Sequence, residues 1–318
     1  MTDALRPETF LPHNEQNMFQ YIWEHRLDLL NRILANGETN LARVLGLMAE
    51  FNRHHRLILE TCDDPREGNG AQFLTGRAAW VRETPDPGNR AMFPDCPVTP
   101  EGVPLYSWAV VGGHPTIRPS HASYDHLAVP VILALTRQRR FDAFAELGSG
   151  FGEKLFRLYL AGAPRDVPYY GAELWEGGRL MADALASLEP GIDFHGVTFD
   201  MKAPDFSFLA PHKQVLLFSN AAIYAVPDLP PDFLDLLLDT CPAVTGVHFE
   251  FIGYQLGVTS AYVEEFNRRR EERAYNRDFI GLLRQAEEKG RVTVEYLQPD
   301  LYCVSSAQPV TVIVWRKT

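Results

Sequence analysis

The stretch Ala145-Glu146-Leu147-Gly148-Ser149-Gly150-Phe151-Gly152 decides the fold of this 318-residue chain. It joins a short apolar run at 144–147, which predicts a strand, to a helical pattern at 154–161. Glycine adopts the positive φ angles of a sharp turn, and without a Cβ it lets a ligand lie directly against the backbone. The helix that follows offers free N–H groups in its first turn. The stretch therefore predicts a strand, a ligand-binding glycine loop and a helix.

Strand and helix patterns alternate from this loop to the C-terminus. Further strands are predicted at 169–173, 194–199, 214–219 and 244–251, with helices at 176–188, 233–238 and, long and charged, 260–289. Two closing strands, 292–296 and 310–315, have no helix between them. Alternation implies parallel strands covered on both faces. We therefore predict an α/β fold, a seven-stranded, mostly parallel doubly wound sheet with a C-terminal antiparallel hairpin.

Two regions precede that domain, which we assign to residues 124–318. Residues 1–61 form a predicted N-terminal helical region, because apolar residues recur at helical spacing on both sides of the break at Asn36-Gly37. Residues 62–123 are rich in proline, glycine and aromatic residues, which predicts ordered but irregular loops. We expect these two regions to shape a substrate lid, and the helices to provide a homodimer contact.

Composition limits the partners of the chain. A formal net charge of −11 disfavours nucleic acid and anionic membranes as partners. No apolar stretch is long enough to cross a membrane, and the acidic, non-apolar start of the sequence leads us to expect no secretory signal. The four cysteines are scattered without a CxxC pair, so we expect no metal site and a reduced, cytoplasmic protein. We expect its partner to be a small molecule.

The glycine spacing distinguishes two classes of cofactor. Dinucleotide-binding loops have the form GxGxxG and hold a pyrophosphate at the helix N-terminus. Here the glycines stand at 148, 150 and 152, and Glu153 occupies the position of the last dinucleotide glycine, where its carboxylate would face two phosphate charges. Glu173 ends the second predicted strand and can accept hydrogen bonds from ribose hydroxyls. Ribose is common to both classes, and Glu173 could instead cap the following helix.

Glu146 and its three glycines resemble the (D/E)xGxGxG motif of class I S-adenosylmethionine-dependent methyltransferases, a Rossmann-like family whose seven-stranded sheet also ends in a hairpin. The resemblance covers residues 124–318 and implies S-adenosyl-L-methionine as the cofactor. In this family an acid after the third strand meets the adenine amino group, although Asp200 could also simply end that strand. The cofactor-binding residues implied by the resemblance are Tyr124, Glu146, Gly148, Ser149, Gly150, Gly152, Glu173, Asp200, Met201 and Ser219.

Three further stretches, 219–224, 247–250 and 275–280, resemble sugar O-methyltransferases. They imply methylation of an oxygen on a sugar or secondary metabolite. The alternatives are an N-methyltransferase acting on a small molecule, an NAD-type oxidoreductase, and a non-catalytic protein that binds S-adenosylmethionine.

Methylation of a hydroxyl requires a base near the carboxyl ends of the strands. Glu250 is the first candidate, although it could instead pair with an arginine of the long helix. His114 and His126 are the other candidates for a catalytic role, together with His121 in the same polar run. Asn220, Tyr224 and His248 are predicted to bind the substrate, and His248 could equally be a buried core histidine.

Overall fold

The computed structural model describes residues 18–60, 77–82, 106–111, 114–119, 125–257, 275–303 and 309–318. Within these ranges the helices are α1 (Met18–Ala35), α2 (Leu41–His54), α3 (Asp125–Gln138), α4 (Glu153–Leu160), α5 (Glu176–Ala186), α6 (Phe233–Thr240) and α7 (Phe279–Glu288). The strands are β1 (His55–Glu60), β2 (Arg77–Arg82), β3 (Tyr106–Val111), β4 (His114–Pro119), β5 (Ala143–Leu147), β6 (Tyr169–Glu173), β7 (Phe194–Thr198), β8 (Gln214–Asn220), β9 (Ala243–Glu250), β10 (Val292–Cys303) and β11 (Pro309–Lys317).

The main sheet confirms the predicted α/β class and topology. Its strand order is β4-β3-β10-β11-β9-β8-β5-β6-β7. Strands β5 to β9 pair in parallel, and β10 and β11 form the predicted antiparallel hairpin beside β9. The chain passes from β5 outward to β7 and returns to β8 on the other side of β5. The carboxyl ends of β5 and β8 therefore meet at the topological switch point, where ligands bind in open sheets of this kind.

The sheet has nine strands where the sequence predicted seven, because the hairpin of β3 and β4 extends its edge. Tyr302 and Cys303 pair with β3, so β10 continues well beyond the predicted end at Tyr296. Register shifts at Val294/Tyr296 and Gln298/Tyr302 bracket Pro299. Such irregularities let a strand continue past a proline, which cannot donate a ladder hydrogen bond.

Two apolar cores cover the two faces of the sheet. Along β5, Phe144 belongs to the core beneath α1 to α5, whereas Ala143, Ala145 and Leu147 belong to the core beneath α6 and α7. The same alternation continues along β8, as expected where both faces of a strand are buried. The doubly wound arrangement thus follows from the two-residue period of the buried strands.

The N-terminal region contains the two predicted helices, and both pack within the chain. Leu30 and Val44 lie in the same core as α3 and α4, and α1 lies against α5. The helical prediction is wrong at 55–60, where β1 pairs with β2 in a separate two-stranded sheet. The short aliphatic run at 57–59 suits a strand, and so short a run does not reveal its period in the sequence. Strands β2, β3 and β4 likewise replace part of the irregular structure predicted at 62–123.

The predicted helix at 260–289 is wrong at its centre. Residues 275–278 are not helical, and α7 begins only at Phe279. The buried Asn276 side chain explains the break, because its amide oxygen accepts hydrogen bonds from the N–H groups of Asp278 and Phe279. Such local bonds compete with the helical pattern and favour a helix start. Residues 258–274 lie outside the described ranges.

None of the helices within the described ranges is both long and apolar enough to cross a membrane.

Candidate functional site

The glycine loop lies at the carboxyl end of β5 and turns sharply into α4. Gly148, Gly150 and Gly152 have φ angles of 64°, 56° and 74°, in the left-handed region that glycine tolerates best. A Cβ added to Gly148 would lie 2.5 Å from the Cβ of Ala222 and 3.2 Å from the Cε of Met201. The loop is therefore in contact with the segments that follow β7 and β8. These contacts explain why glycine is needed here.

Glu173, at the end of β6, holds the loop from the side. Its Oε2 accepts a hydrogen bond from the Gly150 N–H at 2.7 Å, and its Oε1 accepts one from the Trp175 N–H at 3.0 Å. Burial raises the pKa of this carboxyl, while hydrogen bonds from the amides of Trp175, Gly150 and Leu174 oppose the rise. An ionised carboxylate offers about four lone-pair sites. Glu173 therefore retains capacity for a ligand hydroxyl.

Asp200 and Met201 follow β7, and the Met201 side chain reaches the glycine loop. Met201 is buried and lies against Gly148, as the contact distance above shows. One carboxylate oxygen of Asp200 accepts a hydrogen bond from the Lys202 N–H at 2.8 Å, which fixes the turn. The predicted cofactor residues of the second and third parallel strands thus lie beside the glycine loop.

Glu146 and Ser149 are buried within the loop and strand. Glu146 pairs in register with Gly171 of β6 and Phe218 of β8, so it lies in the middle strand of the parallel set. The hydroxyl of Ser149 has no hydrogen-bond partner among the described residues. A buried hydroxyl without a partner is costly, and a bound ligand would supply the missing hydrogen bond.

Glu153 begins α4, at the point where a dinucleotide would place its pyrophosphate. Its carboxylate forms an ion pair with Arg157 at 2.7 Å, one helical turn away. The helix N-terminus, which would otherwise attract an anion, therefore already carries a negative side chain. This arrangement disfavours a ligand with phosphates over the loop.

A buried hydrogen-bond network lies beyond the loop, between β8, β9 and β11. The Ser219 hydroxyl contacts His248 Nδ1 at 2.9 Å and donates to Glu250 Oε1 at 2.6 Å. Trp315 Nε1 donates to His248 Nε2 at 2.9 Å, and its indole fills the space left by Gly246, where a Cβ would meet it at 2.1 Å. We call Ser219, His248, Glu250 and Trp315 the strand-end network.

Hydrogen bonding determines the state of His248. Because Trp315 can only donate, Nε2 of the histidine accepts, and the single proton of the neutral ring is on Nδ1 facing Ser219. Burial lowers the pKa of His248 to about 3, so the ring is neutral near pH 7. Phe279 of α7 packs edge-on against it at 4.8 Å between ring centroids. His248 is therefore enclosed within the chain.

Glu250 receives hydrogen bonds from the segment that follows β8. Besides the Ser219 hydroxyl, the N–H groups of Ala222, Ile223 and Tyr224 donate to its carboxylate at 3.1–3.2 Å. Burial raises the pKa of Glu250, and these bonds oppose the rise. Four donors occupy the lone-pair sites of a carboxylate. The side chain is fully buried and holds residues 222–224 in place.

The three stretches that resemble sugar O-methyltransferases come together here. Glu250 of the second stretch holds Tyr224 of the first, and the Asn276 N–H of the third donates to the Tyr224 carbonyl at 2.8 Å. The rings of Tyr224 and Tyr275 meet edge to face at 5.2 Å. Asn220, predicted to bind substrate, is buried at the end of β8, and Ala221 has a φ of 51°, which is uncommon for a residue with a side chain.

Several predicted residues fall partly or wholly outside this description. Tyr124 and His121 lie outside the described ranges, as do the helix arginines at 268, 269, 270 and 273. His114 lies in β4 and His126 in the first turn of α3, but only their backbone is described. No cluster of three or more His, Cys, Asp or Glu side chains that could hold a metal occurs in the part of the chain that the structure describes.

The sequence analysis missed the contribution of α1 to this site. The Trp23 ring lies 2.6 Å from the position of a Cβ on Gly150. Gly177 and Gly178, in the first turn of α5, face the α1 backbone and the glycine loop respectively. The signal was a pair of adjacent glycines inside a predicted helix, which indicates close packing.

No protein-family model matches this chain, and no curated protein sequence matches it either. Among solved structures, the chain is similar to a geranyl diphosphate C-methyltransferase from Streptomyces coelicolor A3(2) solved with Mg²⁺, geranyl diphosphate and S-adenosyl-L-homocysteine (11% identity, 61% of this chain and 78% of that chain, TM-score 0.43). It is also similar to the magnesium protoporphyrin IX methyltransferase of Synechocystis PCC 6803 with bound S-adenosylhomocysteine (14% identity, 62% of this chain and 83% of that chain, TM-score 0.42). A third similar structure is a SAM-dependent methyltransferase from Aquifex aeolicus (11% identity, 61% of this chain and 91% of that chain, TM-score 0.42). At such low identities and TM-scores, these similarities assign neither a cofactor nor an acceptor to this chain.

Proposed function

We propose that this chain is an S-adenosylmethionine-dependent methyltransferase that methylates a hydroxyl of a small molecule, either a sugar or a secondary metabolite. The observation that carries the proposal is the arrangement at the switch point of the sheet. There the glycine loop lies between Glu173, which can accept hydrogen bonds from ribose, and Glu153, which opposes phosphate. An adenosyl cofactor without a pyrophosphate meets both conditions.

The residues present fit such a cofactor. Gly148 and Gly150 give the loop the left-handed turns that bring its backbone to the switch point of the sheet, and the buried Ser149 hydroxyl has bonding capacity to offer. Asp200 and Met201, beside the loop, suit the adenine amino group and the adenine ring. We assign Glu146 to the support of the loop, because it is buried within the strand that carries the loop.

Bound S-adenosylmethionine would supply an electrophilic methyl group. The chain must then hold the acceptor hydroxyl in line with that methyl and exclude water. Asn220 and the rings of Tyr224 and Tyr275 lie next to the loop segment that touches Gly148, so we assign the acceptor site to them. Aromatic walls with one amide provide apolar contact together with orientation, as ligand sites commonly do.

We assign Glu250, His248 and Ser219 to positioning rather than to contact with cofactor or acceptor. The Glu250 carboxylate is occupied by four donors, and His248 is neutral and enclosed. A base must reach the proton that it removes. This leaves His114, His121 and His126 as the predicted bases, and all three precede β5 in the chain, within residues 114–126.

We include three further points in the proposal. Residues 124–318 form the cofactor domain, and residues 1–61 and 62–123 cover it. The protein works in the cytoplasm on a free small molecule. The N-terminal helices also provide a homodimer contact, with surface residues such as the half-exposed Leu47 of α2 as the apolar part of the interface.

The test is transfer of a labelled methyl group from S-adenosylmethionine to paired acceptors. Each pair consists of a hydroxylated glycoside or phenol and its amino counterpart. The proposal expects labelled ether with the hydroxyl member only, and much less label with Glu173→Ala when S-adenosylmethionine is near the Kd of the wild type. Label on the amine alone would replace the O-methyl reading by the N-methyl one. Tight cofactor binding without transfer to any acceptor would favour a non-catalytic binding protein.

A further inference from the structure

Helix α1 packs closely against the start of α5 because Gly177 has no side chain there. A Cβ at Gly177 would lie 2.9 Å from the Cβ of Trp23 and 3.2 Å from the backbone nitrogen of Glu24. The neighbouring Gly178 allows the glycine loop to approach α5 in the same way, because a Cβ added to Gly178 would lie 2.8 Å from the Gly150 carbonyl oxygen. Two adjacent glycines therefore bring α1, α5 and the glycine loop to a single point.

The Trp23 side chain is held in a defined position at that point. Its ring packs edge-on against Phe151 at 6.1 Å between centroids, and the Arg26 guanidinium lies 4.8 Å from its ring centroid. Cation–π and aromatic contacts of this kind favour one orientation of the indole. Trp23 is thus fixed against the loop by one residue of its own helix and one residue of the loop.

The position of the indole coincides with the approach to the second glycine of the loop. In dinucleotide-binding loops, the missing side chain of the second glycine lets the pyrophosphate reach the backbone, whereas here an indole lies over the second glycine. The atoms that lie nearest to a Cβ placed on Gly150 all belong to the Trp23 ring. The same glycine donates its N–H to Glu173, the predicted ribose acceptor. Gly150 therefore has the indole at its Cα and the carboxylate of the predicted ribose acceptor at its amide.

We propose that Trp23 is a cofactor-binding residue: the indole forms the outer wall of the adenosyl site at Gly150, and Gly177 is the positioning residue that seats it. This inference rests on the proposed function. It makes α1 part of the binding site and not only a cover for the apolar core. The class of ligand is an adenosyl sulfur compound whose ribose is held by Glu173.

The experiment measures the Kd of S-adenosylhomocysteine by calorimetry for the full chain and four variants. Trp23→Ala removes the wall and should weaken binding at least ~10-fold, equivalent to about 1.4 kcal/mol. Trp23→Phe keeps an aromatic face and should lose less. Gly177→Ala leaves Trp23 intact but displaces it, so we expect a loss close to that of Trp23→Ala.

Leu34→Ala is the matched control, because it also removes apolar contact from α1 but lies roughly 16 Å further along the helix. It should lower the Tm without changing the Kd. Unchanged or tighter binding by Trp23→Ala would overturn the inference alone, and so would an equal loss of affinity in Leu34→Ala. A wild-type chain that binds no adenosyl ligand would overturn the proposed function together with this inference.

Discussion

The two buried glutamates at the ends of β6 and β9 differ in what their carboxylates have left to offer. Glu173 accepts hydrogen bonds from the amides of Gly150, Leu174 and Trp175, and Gly150 of the glycine loop and Gly178 of α5 lie beside it. Glu250 accepts from four donors and has no exposed surface. The same residue type therefore serves a ligand in one place and the chain itself in the other. Burial and hydrogen-bond count distinguish the two roles.

The largest expected effect is on stability, at Glu250. Glu250→Ala leaves four donors without their acceptor, two of them buried, and each buried group costs about 1–3 kcal/mol. We expect the free energy of unfolding to fall by ~4 kcal/mol in urea denaturation, while Glu173→Ala, which leaves one buried donor without its acceptor, should lose about half as much, ~2 kcal/mol. Glu250→Gln should retain part of the stability. If Glu250→Gln instead kept full stability and abolished turnover, Glu250 would be a base, and the contrast between a ligand-binding Glu173 and a structural Glu250 would be wrong.

The next effect is on affinity, at the first glycine of the loop. Gly148→Ala combines a positive φ with a Cβ 2.5 Å from Ala222, so the loop must shift. We expect S-adenosylhomocysteine to bind at least ~100-fold more weakly, about 2.7 kcal/mol. Gly162→Ala is the control, because Gly162 also has a positive φ but has open space around its Cβ position. Equal effects of the two variants would show that backbone strain alone matters.

A smaller loss is expected at Glu173 itself. Glu173→Ala removes an acceptor for ribose hydroxyls, and hydrogen bonds to a charged group contribute about 1.5–3 kcal/mol. We expect the Kd of S-adenosylhomocysteine to rise by ~10- to 100-fold, measured by calorimetry. Adenine or methionine alone, which lack the ribose, should compete equally well with wild type and variant. An unchanged Kd for the whole cofactor would remove Glu173 from the site.

The effect that is smallest near neutral pH, and that grows only as the pH falls, is a change in stability that comes from His248. Its pKa is lowered by burial from 6.5 in the unfolded chain to about 3 in the native state. Between these values the unfolded state binds the proton and the native state does not, so stability falls as the pH falls from 6.5 towards 3. The slope approaches ~1.4 kcal/mol per pH unit. The difference in the free energy of unfolding between wild type and His248→Phe, measured from pH 7 downwards, isolates this contribution, because Glu250 and Glu173 titrate in both proteins. A difference that does not change with pH would contradict a buried, neutral His248.

The parallel strands and the glycine loop could be predicted from the sequence because each is determined by local chemistry. The run 144–147 and the glycines at 148, 150 and 152 specify a strand and a left-handed turn within residues 144–152. The predicted strands 169–173 and 214–219 agree with β6 and β8 to within one residue. These strands are buried on both faces, so their sequences are nearly continuous apolar runs that can be recognised without the structure.

The other features depend on contacts between distant segments. Trp315 meets His248 across 67 residues, and Trp23 meets Gly150 across more than a hundred, so neither contact leaves a periodic signal. The extension of β10 past Pro299 depends on its pairing with β3. The break before α7 depends on the local bonds of Asn276 and on its anchoring to Tyr224 and Val226. Each of these features follows from tertiary contacts that override the local pattern.

The central claim is that the glycine loop holds an adenosyl cofactor without a pyrophosphate. The most direct measurement is a calorimetric titration of the full chain with S-adenosylmethionine, S-adenosylhomocysteine and NAD. The account predicts binding of both adenosyl sulfur compounds at micromolar affinity and no heat with NAD, because Glu153 opposes phosphate at the start of α4. Binding of NAD alone, or of none of the three ligands, would contradict it.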